Sequence, residues 1–220
     1  MLIWLILAGL TGVSAGRVHK YDRLPARARA LLPVFEDWSR KTQIPLDVLL
    51  TWTKLESNFT IDEYNPEPSA VKSWACEIAR KPEIWGRNPA YAHAVEVCQL
   101  LEAGASTASV MNLWGPGNGF GSYGLLQVAR IVAHEVGVVP AKVANARLFD
   151  VQVNMKAGTA EILDRKARLF PGRAVLLDVE WAWVRAAYVG GPRIFNKAPD
   201  RAIQIARTFL TALQATRKGT

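Results

Sequence analysis

Glu56 is the carboxylate of this 220-residue sequence best placed to move a proton. It follows Leu49 by seven positions and Trp52 by four, so on a helix it shares their apolar face. Burial there disfavours the charged form and raises the pKa toward the range a general acid needs near neutral pH. On this spacing alone the plainer role stays open, that of a carboxylate turned to solvent at a fraying helix end.

Few other groups could do chemistry. Gly119, Gly121 and Gly124 stand in the G-x-G-x-x-G spacing that cradles a pyrophosphate. That fingerprint needs a strand before the first glycine and a parallel sheet around it. Here the preceding residues, Leu113-Trp114-Gly115-Pro116-Gly117-Asn118, read as a loop, so the glycines are expected to allow a tight turn or a close backbone approach instead. Cys76 and Cys98 are either two separate buried thiols or, if the chain is exported, a disulfide; the disulfide is expected. With His19, His93 and His134 they are too few for a zinc site, and His134-Glu135-Val136-Gly137-Val138 lacks the second histidine of H-E-x-x-H. Neither a metal nor a cofactor is expected.

The elements that must position these groups read as helices almost throughout. Pro45 suits a first helical turn, and Leu46, Leu49, Leu50 and Thr53 follow at helical spacing toward Glu56. Asp150 is a candidate N-cap for a stripe of Val151, Met155, Gly158, Ile162 and Leu169 that ends at Pro171-Gly172. Asp178 can cap a helix over 179–189 that stops at Gly190-Gly191-Pro192, and Asp200 opens a last one with Ile203, Ala206, Leu210 and Leu213 on one face. No stretch alternates with period two, so the fold class expected is all-α.

Four short motifs on this helical background occur in a telling order: Leu55-Glu56-Ser57-Asn58-Phe59, Gly121-Ser122-Tyr123-Gly124-Leu125-Leu126-Gln127-Val128, Asn154-Met155-Lys156-Ala157-Gly158 and Ala186-Ala187-Tyr188-Val189-Gly190-Gly191. Together they resemble the soluble-type lytic transglycosylases, whose catalytic domain is lysozyme-like and related to goose lysozyme, over roughly residues 44 to 215. The resemblance implies an enzyme with Glu56 as sole catalytic acid/base. Ser57 matches the small residue after it. Ser122, Tyr123 and Gln127 fall in the wall of a saccharide groove, Asn154 at a position that either ties helices or touches sugar, and Tyr188 at the tyrosine near the catalytic carboxyl. Hydroxyls, amides and aromatic faces suit a sugar's hydroxyl and N-acetyl groups.

The sequence departs from the family in two places. Val189 stands where an Asn usually follows the Ala-Tyr pair. Glu56 and Gly124 are also 68 positions apart, leaving an inserted segment at about 70–118 that holds both cysteines, Trp74, Trp85, Trp114 and a helical stretch from Tyr91 to Ala103. The tryptophans are expected in a core rather than as sugar platforms.

Composition sets the remaining bounds. Half the residues are apolar and 21% charged, enough for one domain with a core, expected over 16–220. Leu2 to Val13 is too short to span a bilayer and ends in Val13-Ser14-Ala15, so a signal peptide cleaved after Ala15 is expected, with an uncleaved anchor or a buried helix as alternatives. A net charge of +8 favours anionic partners. The basic residues are scattered rather than clustered with aromatics, so no specific nucleic acid is expected. The chain then reads as a monomeric, periplasmic or secreted enzyme acting on peptidoglycan glycan strands, with a secretion or conjugation complex as a further possible partner. Two rivals stand beside it. One is a muramidase or chitinase with Asp62, Glu63 or Glu67 as second carboxylate, and the other a wall-anchored assembly protein.

Overall fold

The computed structural model describes residues 21–66, 75–87, 90–107, 109–110, 121–129, 132–133, 148–191 and 193–218. The expected leader at 1–15 lies outside them, as do Gly119, Glu67, Trp74 and Trp114. In chain order the elements are α1 (Ala26–Ala30), α2 (Leu32–Thr42), α3 (Leu46–Ser57), β1 (Tyr64–Pro66), α4 (Pro82–Trp85), α5 (Ala90–Glu102), β2 (Gly121–Tyr123), β3 (Val128–Ala129), α6 (Val151–Leu169), α7 (Asp178–Gly190), α8 (Ile194–Lys197) and α9 (Pro199–Lys218). The chain is mostly helical. No helix among the described residues is long and apolar enough to cross a membrane. Two compact units are present, Met1–Trp52 with Leu176–Thr220, and Thr53–Val175; the boundary falls within α3.

Among the described residues of the first unit the regular elements are all helices. Pro33 occupies the first turn of α2, where a missing N–H costs nothing, and Gln43 closes that helix in the left-handed region at φ 59°. The Leu49 N–H donates to Pro45 O at 3.0 Å, so the ladder of α3 begins at the proline, as its position suggested. Phe35, Ile44, Val48, Leu49, Trp52, Phe209 and Leu213 are buried. Trp52 meets the Phe209 ring edge-on at 5.6 Å. A second apolar cluster joins Ala186, Ile194 and Ala202 and is closed by Trp183, Phe195 and Ile205. Polar groups reinforce the packing: Thr51 Oγ1 donates to Thr216 Oγ1 at 3.0 Å in the interior. Arg217 pairs with both Asp47 and Asp178, and its Nη2 lies 2.8 Å from Asp178 Oδ1. The hydrogen bonds it donates to Asp178 and Asp47 push the already high guanidinium pKa further up.

One cap differs from the sequence expectation. Asp178 is the first residue of α7 rather than its cap, and the Leu177 N–H is satisfied by Glu180 Oε2 at 2.8 Å. The acidic group still sits at the positive end of the helix dipole, while its oxygens serve Arg217.

The second unit contains α6, a small sheet and the described part of the inserted segment. Asp150 caps α6 as the sequence indicated, accepting from the Gln152 and Val153 N–H groups at 2.9 and 3.0 Å. In the inserted segment, Ala75, Ile78, Ala94, Val97 and Val110 form a core of their own, with Trp85, Tyr91 and Leu101 packed against it. Trp85 is half-buried against this core rather than within it. Cys76 and Cys98 form a disulfide across this core, 22 residues apart in sequence.

The sheet was not anticipated. It is antiparallel in the order β1-β2-β3, pairing Tyr64 with Tyr123, Asn65 with Ser122, Ser122 with Ala129 and Tyr123 with Val128. Strands of two or three residues leave no alternation to read, and β1 finds its partner 59 positions away.

Candidate active site

Glu56 lies in the last turn of α3, half-buried, between half-buried Leu55 and Ser57, which is only 5% exposed. Trp52, one turn earlier, is completely buried. After Ser57 the chain turns sharply. Asn58 and Phe59 both adopt left-handed backbone, at φ 48° and 63°. An asparagine tolerates that conformation at a helix end, whereas for phenylalanine it costs about 1–2 kcal/mol. Phe59 is nonetheless 1% exposed, so packing of its ring holds the strained turn that leads from α3 toward β1.

From Gly121 onward the G-x-G-x-x-G region is part of a β-hairpin. Gly121 and Ser122 belong to β2, Gly124-Leu125-Leu126-Gln127 form the connecting loop, and Val128 starts β3. A dinucleotide fingerprint opens a helix at this point, so the context for a pyrophosphate cradle is replaced by a tight antiparallel turn. Gly124 has φ 70°, and a Cβ there would meet Asn154 Nδ2 at 2.5 Å and Leu148 O at 2.7 Å. Only glycine fits. Gln127 also takes positive φ, 49°.

Leu125 and Leu126 are fully buried, so this loop turns inward and its backbone must find partners away from water. Asn154 on α6, 1% exposed, meets one of them and ties the loop to its surroundings. Its Oδ1 accepts from the Leu126 N–H at 2.8 Å, and its Nδ2 donates to Tyr123 O at 2.7 Å and Leu148 O at 2.9 Å. One turn on, Gly158 lets Leu126 lie against the helix, since a Cβ would come within 2.5 Å of Leu126 Cδ1. From the other side Ser57 Oγ donates to Leu125 O at 2.9 Å, tying the loop to the residue that follows Glu56. Gln127 Nε2 donates to Gly124 O at 2.9 Å and reaches Glu63 O at 3.3 Å, and the Gly124 N–H donates to the same Glu63 carbonyl at 2.8 Å. Gln127 Oε1 is buried without a hydrogen-bond partner among the described residues.

The expected site residues therefore divide. Glu56, Ser57, Ser122, Tyr123, Gln127 and Asn154 belong to the second unit, in which Ser57, Gln127 and Asn154 all converge on one hairpin loop. Of the two roles open to Asn154, tying elements together is the one its geometry performs, because both amide hydrogens and the carbonyl are engaged. Tyr123 is wholly buried, edge-on to Phe149 at 5.4 Å, and Ser122 is 5% exposed within β2. Tyr188 belongs to the first unit, half-buried and edge-on to Trp52 at 5.2 Å. There the Arg185 guanidinium, 6% exposed, lies over both rings, 5.2 Å from Trp52 and 5.8 Å from Tyr188. Arg185 was not singled out from sequence, although a cation inside the apolar run Trp183-Val184-Arg185-Ala186-Ala187 is a visible anomaly. Val189 is 41% exposed.

Two further groups bear on chemistry. Asp62 is exposed and Glu63 half-buried; Glu67 lies outside the described residues. Cys76, Cys98 and Glu102 bring their ligand atoms within 4.8 Å of one another, but both sulfurs are spent in the disulfide, and Glu102 pairs with Arg80 at 2.8 Å. Neither sulfur can then serve as the thiolate that metal binding needs.

Comparisons with family models, curated proteins and solved structures return no match for this chain.

Proposed function

We propose that this chain is a peptidoglycan lytic transglycosylase with a lysozyme-like fold, exported to act on the cell wall, possessing one catalytic carboxyl group, Glu56. The observation that carries the reading is the fastening of the Gly124–Gln127 loop to the Glu56 end of α3 through Ser57 Oγ and Leu125 O, with Asn154 holding the loop from α6. A loop that must hold a polymer beside one proton donor needs this kind of preorganisation, since small misplacements cost large factors in rate. Gln127 Oε1 is buried without a hydrogen-bond partner among the described residues, so it would accept from an amide or hydroxyl of a bound sugar once its side chain turns outward.

Glu56, half-buried in the last turn of its helix, would donate its proton to the glycosidic oxygen between N-acetylmuramic acid and N-acetylglucosamine as that bond breaks. As carboxylate it would then remove the proton of the muramoyl 6-hydroxyl, whose oxygen closes on C1 to give the 1,6-anhydro ring. The carboxyl group ends as it began. The nucleophile is part of the substrate, so a second carboxylate to hold water is not required, unlike in the usual glycosidase pair. In this reading Asn154 and Ser57 position the loop and Tyr123 backs it, while Gln127 meets substrate.

Glu56→Gln tests the assignment. The amide is nearly isosteric but cannot give and recover a proton, so release of soluble muropeptides from purified sacculi should fall by about 10² or more while the unfolding temperature is unchanged. Activity within tenfold of the parent would remove Glu56 from the role.

A further inference from the structure

We infer that Tyr64 is a saccharide-stacking residue, a ring platform on the β1 edge beside the Gly124–Gln127 loop that takes the apolar face of an N-acetylhexosamine. The inference rests on the saccharide reading above and adds a residue to it.

The sheet contains two tyrosines facing one another in register, Tyr64 and Tyr123, with ring centroids 5.0 Å apart and planes tilted by 40°. They are not equivalent. Tyr123, on the central strand, is 0% exposed and enclosed by Phe149 as well, so it offers no face to a ligand. Tyr64, on an edge strand, is half-buried rather than enclosed.

The ring is also seated. A Cβ on Gly121 would come within 3.0 Å of the Tyr64 ring and 2.9 Å of the Asn65 carbonyl, so the absence of a side chain at Gly121 lets both the ring and the β1 backbone lie against β2. The neighbouring residue is fixed at the same time, because the Glu63 carbonyl accepts from the Gly124 N–H and from Gln127 Nε2. A ring that is backed by Tyr123, seated on glycine and joined through its neighbour to the loop has little rotamer freedom to lose on binding. Sugar rings present a C–H face that packs on such a surface, while their hydroxyl and N-acetyl groups turn to amides such as Gln127. Burial raises the Tyr64 phenol pKa, so the ring stays neutral at any pH at which the wall is turned over.

The test measures binding of the N-acetylglucosamine tetramer by titration calorimetry in a Glu56→Gln background, where turnover does not interfere. Tyr64→Ala should raise Kd by about tenfold, the size of one good aromatic contact. Tyr64→Phe, which keeps the ring, should stay within about twofold of the parent. Gly121→Ala, which unseats the ring without deleting it, should weaken binding as well, and adding it to Tyr64→Ala should cost nothing further. That non-additivity shows that the Gly121 effect runs through the Tyr64 ring, and weaker binding by Tyr64→Ala at an unchanged unfolding temperature is what a merely structural role would not produce; Gly121→Ala with Tyr64→Phe suffices if Tyr64→Ala fails to fold. Equal affinity for parent and Tyr64→Ala, or for parent and Gly121→Ala, overturns the platform and leaves the transglycosylase reading untouched. If the parent does not bind the tetramer at all, the platform is also overturned, and muropeptide release from sacculi by the wild-type chain decides separately whether the enzyme reading survives.

Discussion

In the first unit Trp52 meets the rings of Tyr188 and Phe209, and Arg217 meets Asp47 and Asp178; in the second, Asn154, Ser57 and Gln127 turn their polar groups onto the backbone of a hairpin. The difference follows from where each unit's backbone finds its hydrogen bonds. Helices satisfy their own interior N–H and C=O groups, so their side chains are free to pack on one another. A buried four-residue loop between strands of two or three residues has no such ladder, and beyond the one bond it makes within itself, from the Gln127 N–H to Gly124 O, its backbone groups rely on side chains and on other segments. The two units also differ in charge. Among described residues the first carries twelve Lys and Arg against seven Asp and Glu, and the second nine against ten. The excess positive charge of the described chain therefore lies in the helical unit.

The comparison can be broken most sharply at Asn154. Asn154→Ala would strand the Leu126 N–H and weaken the satisfaction of Tyr123 O and Leu148 O, all in the interior, so a loss of about 3–4 kcal/mol is expected in urea unfolding. A loss below about 1 kcal/mol would show that the loop is held by Leu125 and Leu126 packing instead.

Removal of the disulfide comes next. Cys76→Ser with Cys98→Ser should cost about 3 kcal/mol in the chain-entropy model, since the closed loop spans 22 residues. Because the segment has its own apolar core, amide exchange should quicken over the described residues of 75–102 before it does in α6. Uniform quickening across the whole chain would mean that this core is not an independent unit of stability.

The smallest effect is expected in the first unit. Arg217→Ala removes partly exposed ion pairs whose carboxylates can turn to water, so about 1 kcal/mol is expected, falling with added salt. A loss as large as that at Asn154 would erase the contrast between the two units.

Legibility in the sequence follows the same division. The Asp150 cap, the run of α6 to Leu169 and the helix at 90–102 could be read because the signals are local: a capping oxygen, a periodic stripe, a Pro-Gly stop. The disulfide followed from two cysteines and an expected export signal. The sheet could not be read, because each strand is shorter than one period of evidence and its register depends on residues 59 apart. Asn154 carried a weaker signal, a poor helix former inside a helical stripe, but the loop it serves lies 28 residues away. Gly124 announced a left-handed turn by being glycine, whereas Gln127, Asn58 and Phe59 adopt the same region with no such mark. Tyr64 was passed over because nothing in Glu63-Tyr64-Asn65-Pro66 tells an edge ring from a core ring until Gly121 is seen beneath it.

The measurement that tests the central claim most directly is the chemistry of the muramoyl end released from sacculi. With Glu56 acting alone, the 6-hydroxyl held beside C1 has the advantage of an intramolecular nucleophile over loosely held water. The products should carry 1,6-anhydro ends, one water lighter than hydrolytic products by mass and resistant to borohydride. Reducing muramic acid ends would contradict the account and point to a water-holding carboxylate, with Glu63 the first residue to replace.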